Sequence, residues 1–588
     1  MSRPVRIANC SGFYGDRLEA AREMVEGGPI DVLTGDYLAE LTMLILWKAR
    51  RKDPALGYAK TFLTQLEHVL GTCLDRGIRI VSNAGGLNPP GLAAEIAALA
   101  GRLGLHPEIA HVDGDDIVGR LAELQAAGHD LAHLDTGRKL AEAGVGPLTA
   151  NAYLGGWGIA AALSAGADVV VTGRVTDASL VVGPAAWWHG WAPTDFDAIA
   201  GAMAAGHVIE CGPQATGGNY AFFEEVTDRR YPGFPIAEVA ADGSSVITKH
   251  ADTGGLVSPG TVTAQLLYEI AEPAYAGPDA VAHFDTLRLE AAGPDRVRIS
   301  GTRGSPPGEH LKVALNHDGG YRNTMTLVLT GARIEEKAAW AEEQLFALLG
   351  GKDQFAEADV TLLRFDHADA PVNAEATAHL RITVKDPDAR KVGRRFSNTA
   401  MELALGGYPG FHTTTPPSAE SAFGVYWPAL VPAAEVTHRV TLPDGTEVVV
   451  PHPPTGPPLP APVPDAAPPR DFGPTRRAPL GEVAGARSGD KGGNANVGFW
   501  TRTDDEYAWL RGYLDEDRFR ELLPEAAALA VRRFELPNLR ALNFVVVGLL
   551  GEGVAAATRP DPQAKGLAEY LRSRVVDVPV RGPVARRG

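Results

Sequence analysis

The chain has 588 residues, 45% of them hydrophobic and 22% charged, an ordinary globular composition with length for roughly three to four domains or subdomains. A formal net charge of -17 argues against non-specific binding to nucleic acid or to an anionic membrane, although a local Lys/Arg pocket can still take a small anion. Three widely spaced cysteines, Cys10, Cys73 and Cys211, without C-x-x-C spacing, argue against a disulfide framework and a structural zinc site.

In chain order, "VRIAN" reads as a strand, "CSGFYGDR" as a loop and "LEAAREMVEG" as a helix. "IDVLTGD" is a second strand, followed by helices over "YLAELTMLILWKAR" and "TFLTQLEHVLGTCLDRG". The strand "IRIVSNAGG" leads into the helix "PGLAAEIAALAGRLG", and "PEIAHVDGDD" and "ADVVVTGRVTD" repeat the strand-then-polar-loop pattern. Alternating strands and helices predict a parallel sheet with helices on both faces, its ligand edge at the carboxyl ends of the strands. From about residue 235 the texture changes. Short strands ("VRISGTRG", "TMTLVLTGARI", "VTLLRF", "HLRITV") and the helix "EEKAAWAEEQLFALLG", closed by glycine, predict an α+β lobe. Half of residues 451 to 470 are proline, which reads as a semi-rigid linker. Beyond it come the strand stretches "LGEVAGARSGDKG" and "NANVGFWTR", helices over 504–533 and the strand "LNFVVVGLL". No N-terminal apolar run has signal-peptide length and no segment reaches roughly 18 apolar residues, so a cytoplasmic location without membrane contact is expected.

Several polar stretches are candidates for chemistry. "NCSGFYGDR" opens a helix, where free N–H groups suit an anion, and Ser11 is a candidate contact; it is neither G-x-G-x-x-G nor a Walker loop. "SNAGGLNPPG" offers Asn83 and the close-approach glycines Gly85 and Gly86. Asp113, Asp115 and Asp116 in "HVDGDD" are read as helix-capping rather than metal-binding carboxylates. His129 and His133, spaced i, i+4, are read as a solvated helix face, so no metal site is expected. In "TGRVTDAS", Arg174 is placed to hold a carboxylate or phosphate, or to pair with Asp177 three residues on. "HVIECGPQATGGNY" places Glu210, as an acid or base, before a turn with Thr216, Gly217 and Asn219; Cys211 is read as a small buried hydrophobe. "GARSGDKGGNAN" puts Arg487, Ser488, Asp490, Lys491 and Asn494 among glycines, which reads as a polar binding loop over 487–496 that completes a site built elsewhere. Its S-x-x-K lacks the accompanying K-T-G of serine acyl-enzymes.

Taken together, "NCSGFYGDR", "TGDYLAELTM", "SNAGGLNP", "NAYLGG", "ADVVVTGRVTDASL", "ECGPQATGGNY", "FPIAEVAADG", "LKVA" and "ARSGDKG" resemble the acyclic terpene utilisation protein A family over nearly the whole chain. The resemblance implies a small ferredoxin-like α/β domain at the C-terminus and a role in catabolism of branched acyl compounds, alongside acyl-CoA carboxylases and hydratases. The expected organisation is a Rossmann-like α/β region at 1–235, an α+β lobe at 236–450, a proline-rich linker at 451–475 and the ferredoxin-like domain at 476–588. The expected function is a hydratase- or lyase-type enzyme, or enzyme subunit, acting on a branched or terpenoid acyl-CoA or a carboxylated relative. Arg174, Asp177 and Glu210 carry the chemistry in this reading, and coenzyme A enters only as part of the substrate. The alternative is a non-catalytic subunit assembling with a carboxylase or hydratase, and homo-oligomers suit either reading.

Overall fold

The computed structural model describes residues 3–457, 459–460 and 472–580; residues 458 and 461–471, much of the proline-rich linker, lie outside them. The structure is mixed α/β with several sheets. Five parallel strands form the middle of the largest one, in the spatial order Val5–Asn9, Val32–Gly35, Arg79–Ser82, Val169–Thr172, Ile109–Asp113. The crossover from Arg79–Ser82 through helix Pro89–Leu103 to Ile109–Asp113 leaves a gap one strand wide. Val169–Thr172 fills it, pairing with both neighbours. Antiparallel strands extend the two edges, Pro235–Val239 beside Val5–Asn9 and Arg439–Thr441 beside Ile109–Asp113.

The period-two geometry of a strand explains why these segments are apolar throughout. Ala8, Leu33, Ile80, Val169 and Val171 pack with helices Ala20–Glu26, Lys60–Arg76 and Pro89–Leu103. Their neighbours Ile7, Val32, Val81 and Val170 pack with helices Trp157–Ser164, Ser179–His189 and Phe196–Ile209. Helix Pro89–Leu103 shows how local sequence sets the limits. Asn88 accepts a capping bond from the Gly91 N–H at 3.0 Å, prolines occupy the first turn, and Gly104 closes it at φ +69°.

The chain divides into two compact units. The first holds the chain up to Asn316, Tyr426–Val554 and the residues from Asp561 on; the second holds His317–Val425 and Ala555–Pro560. The expected boundary at 235 is not where this division falls, because Pro235–Val239 and Ser245–Lys249 continue the central sheet. The second unit is an antiparallel sheet in which residues 321–330 pair with Thr377–Asp386, and these with Glu357–Arg364. Helices Ile334–Leu349 and Arg394–Gly406 supply Leu345, Phe346, Phe396 and Leu403 to its core.

Within the first unit, the C-terminal segment is a four-stranded antiparallel sheet ordered Gly485–Lys491, Asn494–Trp500, Ala541–Val546, Val531–Leu536. Two local expectations change here. The polar loop expected at 487–496 is a β-hairpin whose only unpaired residues are Gly492, at φ +62°, and Gly493. The helices expected over 504–533 end sooner: Asp504–Tyr513 and Glu516–Leu522 are helical, Pro524 follows, and Val531–Leu536 is a strand. A third lies in the N-terminal part. His129 and His133 are not on a helix, because Leu131 between them is at φ +48°.

Candidate functional site

A cleft of about 1120 Å³ opens in the first unit, at the carboxyl edge of the parallel strands. Three strand-end segments reach it: Gly12–Asp16 after the first strand, Asp36 after the second, and Arg174 to Asp177 after Val169–Thr172. Glu210 and Cys211 enter from the end of the buried helix Phe196–Ile209. Tyr268, Glu269, Tyr275, Lys312, Asp490, Lys491 and Lys565 complete the polar wall.

Arg174 is 5% exposed. One guanidinium nitrogen donates to the Leu38 carbonyl at 2.5 Å, another lies 3.0 Å from the Asp177 carboxylate, and the guanidinium carbon sits 4.3 Å from the centre of the Tyr153 ring. The buried Asp115 accepts the Arg174 backbone N–H at 2.9 Å and the Asn151 side-chain amide at 2.7 Å. Burial pushes Asp115 up to about 7, against the pull of those bonds. Asp36 accepts from the Asn83 side chain at 2.7 Å and from the Leu38 N–H at 3.0 Å. Burial, and then the neighbouring Asp177, hold its carboxyl well above the usual range, while Arg174 opposes them.

Glu210 is the second buried carboxyl of the cleft. Desolvation raises it well above the usual range, followed by Asp177, Asp36 and Glu269, with Lys491 opposing. Its Oε2 is buried with no hydrogen-bond partner among the described residues. Asn9 ties this corner to the sheet, donating to the carbonyls of Ile209 at 2.8 Å and Glu210 at 3.1 Å. Desolvation, then Glu210, also hold the Cys211 thiol well above its ordinary range, which leaves it a poor nucleophile.

The structure thus gathers Arg174, Asp177, Glu210, Asn219, Asp490 and Lys491 around one cleft. The other residues singled out from sequence sit elsewhere. Ser11 donates to the Phe13 carbonyl at 3.0 Å. Asn83 is fully buried beneath the cleft, and Gly85 lets the chain pass Thr172, whose carbonyl would lie 2.5 Å from an added Cβ. Gly86, at φ +53°, turns the same loop, and Gly217, at φ +102°, ends the short turn that holds Thr216. Thr216 bridges the carbonyls of Pro213 and Gly233. Arg487 stacks 4.3 Å from the centre of the Tyr268 ring and bonds Gln214 and the Asn219 carbonyl. Ser488 accepts from the Ala568 N–H at 2.9 Å and donates to Ala564, and Asn494 bonds Asp135.

Sequence reading missed Asp36, His207, Tyr153, Tyr275, Lys312 and Lys565. Asp36 carried a signal, since "TGDY" ends a strand as "TGRV" does, and His207 stands three residues before Glu210 in the stretch already quoted; the others arrive from distant segments. Among the described residues no group of three or more His, Cys, Asp or Glu side chains could hold a metal ion, and no helix is long and apolar enough to cross a membrane.

Two family models match the chain. Residues 5–442 match the one described as acyclic terpene utilisation family protein AtuA, and residues 478–577 match the AtuA ferredoxin-like domain. No curated protein and no solved structure matches.

Proposed function

The chain belongs to the acyclic terpene utilisation family AtuA, a family implicated in catabolism, and from that premise we propose that it is an enzyme of hydratase or lyase type acting on a branched acyl thioester or a related carboxylated compound. One observation carries the reading: the cleft joins a buried acid–base floor to an apolar rim. Arg174, Asp36 and Glu210 form the floor, whereas Phe13, Ile45, Leu134 and Leu430, all exposed, line the same cleft. A substrate with a polar reacting end and an aliphatic tail matches that division. Its bulk also suits a conjugate larger than a free short-chain acid, since typical ligand pockets span about 300–1,000 Å³.

In the proposed reaction, Arg174 holds the substrate carbonyl or carboxylate through its remaining N–H donors. Adding water across a conjugated double bond needs one group to take a proton from water and another to supply a proton to the adjacent carbon. The Arg174-paired carboxylate of Asp177 is the base and the carboxyl of Glu210 is the acid, two carboxyl groups separated in role by their surroundings. Water's oxygen forms the new C–O bond, its proton goes to Asp177, and the Glu210 proton forms the new C–H bond. A lyase step runs the same proton inventory in reverse.

Turnover of a panel of branched acyl thioesters and free acids, followed by mass spectrometry, tests this. Glu210→Gln is expected to lower kcat by about 10²–10⁴-fold. Binding and turnover absent across the whole panel would sink the proposal. Binding without turnover by the parent protein would favour a non-catalytic subunit.

A further inference from the structure

The four-stranded sheet of the C-terminal segment turns one face into its own core, through Val497, Phe499, Leu542 and Phe544. The other face carries glycines and amides: Gly489 lies opposite Asn496, and Gly498 opposite Asn543. That face rests on residues 267–271, part of the cleft wall. A Cβ on Gly498 would stand 2.6 Å from Cβ of Leu267, and one on Gly489 would stand 2.5 Å from the Tyr268 ring. Asn496 and Asn543, both fully buried, bond each other and then the wall. The Asn496 side-chain oxygen accepts the Glu269 N–H at 2.8 Å, and the Asn543 amide donates to the Ala271 carbonyl at 2.6 Å.

Glu269 sits at φ +55°, in the left-handed region that a residue with a Cβ enters at a cost. Such residues persist where their surroundings over-determine them, and they cluster at ligand clamps. Asn219, on the same cleft, is left-handed too at φ +56°, and Arg487 of the same sheet face donates to its carbonyl at 3.2 Å. Glycine at 269 would make the turn without strain, so it is the glutamate side chain that the arrangement retains.

We propose that Glu269 is a specificity-determining residue of the cleft, accepting a hydrogen bond from a neutral N–H or O–H group of the ligand, and that Asn496 and Asn543 are its positioning residues. The local charges select a neutral donor. The Lys565 ammonium lies 3.1 Å from Oε1 of Glu269 and 3.4 Å from the Asp490 carboxylate, and it donates to the Tyr268 hydroxyl, so its three protons are met within the wall. A cationic group would meet Lys565 beside Glu269, and an anionic one would meet Glu269 and Asp490. The Tyr268 hydroxyl is a further neighbour of the Glu269 carboxylate, which still has lone pairs for a ligand in the cleft. This rests on the acyl thioester reading, which offers two such donors: amides along a carrier arm, and a hydroxyl on the hydrated acyl chain.

Three ligands sharing one branched acyl skeleton, tested on the full-length protein, separate these sources: the coenzyme A thioester, the ethyl thioester, and the ethyl thioester of the hydroxylated acid. Binding is measured by calorimetry and turnover by mass spectrometry. Glu269→Gly is expected to lower the preference for a donor-bearing ligand over the plain ethyl thioester by about tenfold or more, as when a hydrogen bond loses its charged partner. Loss confined to the coenzyme A preference assigns the amide arm, and loss confined to the hydroxyl preference assigns the acyl chain. Both preferences unchanged overturns the proposal. The Tm of Glu269→Gly should stay within about 2 °C of the parent, because a half-exposed ion pair contributes little. A larger fall with both preferences intact would leave the carboxylate a structural partner of Lys565. Asn496→Ala should lower the same preference in the parent and have no further effect on it in the Glu269→Gly background. Equal falls in the two backgrounds overturn the positioning role. Binding without turnover leaves each comparison intact, so it removes the hydratase or lyase reading alone.

Discussion

Two loops leave neighbouring strands on the same edge of the parallel sheet, and they end in opposite roles. After Arg79–Ser82, the chain turns inward. Ser82 donates to the Gly35 carbonyl at 2.8 Å, Asn83 accepts the Tyr37 N–H at 2.8 Å, and the asparagine is fully buried. After Val169–Thr172, the chain delivers Arg174 and Asp177 to the cleft. Both loops are polar and both follow a strand. The difference is where their hydrogen-bonding capacity is spent: neutral amides and hydroxyls can be satisfied locally, whereas a guanidinium with five donors keeps some for a ligand. The carboxyl edge of a sheet therefore marks where a site can be, and the donor inventory of each loop decides which one forms it.

The comparison can be broken most directly at Arg174. Arg174→Met removes the cation beside Asp177 and Asp36, so turnover should vanish, and stability should fall by about 3–5 kcal/mol in denaturant unfolding, as when a buried ion pair loses one partner. A stable, active Arg174→Met protein would mean that the loop is not the centre of the cleft. Asn83→Ala should show the opposite balance. Losing a buried amide that serves Tyr37 and Asp36 costs about 1–3 kcal/mol, with turnover reduced by less than about tenfold. A larger catalytic than structural effect there would erase the distinction between the loops.

The smallest effect concerns Asp115, which holds the Arg174 backbone. Its folded-state value of about 7 lies above that of an unfolded aspartate, so the native state binds the extra proton. Its contribution to stability is complete below about pH 4 and is lost as pH rises through about 7. In the Asp115→Asn variant that decline should be absent, seen as a shallower fall of Tm relative to the parent between about pH 4 and 7. Equal slopes in the two proteins would place the proton elsewhere.

The strands and helices of the parallel region were legible because both faces of each strand are covered, which writes unbroken apolar runs into the sequence. Arg174 stood out for a related reason: it follows the apolar run "ADVVV" at the end of a strand. The hairpin was harder. Its first strand contains Arg487, Ser488 and Asp490 rather than β-branched residues, and tertiary contacts with Tyr268, Gln214 and Ala564 hold Arg487 and Ser488 in place. Tyr275, Lys312 and Lys565 gave no warning at all, since they reach the cleft from segments far from its strand ends in sequence. Local composition does not encode such a meeting.

The strand Val169–Thr172, seated between two strands made before it, has a consequence for folding. Until the ribosome or a refolding chain has passed residue 172, Ile109–Asp113 has no parallel neighbour and the sheet carries an open slot. Non-local parallel pairing of this kind is intrinsically slow. The segment that closes the slot runs straight into Arg174, so the cationic centre of the cleft arrives with the strand that completes the sheet. Formation of the ligand site is then a late kinetic event, and ligand protection during refolding becomes a clock for closure of the sheet.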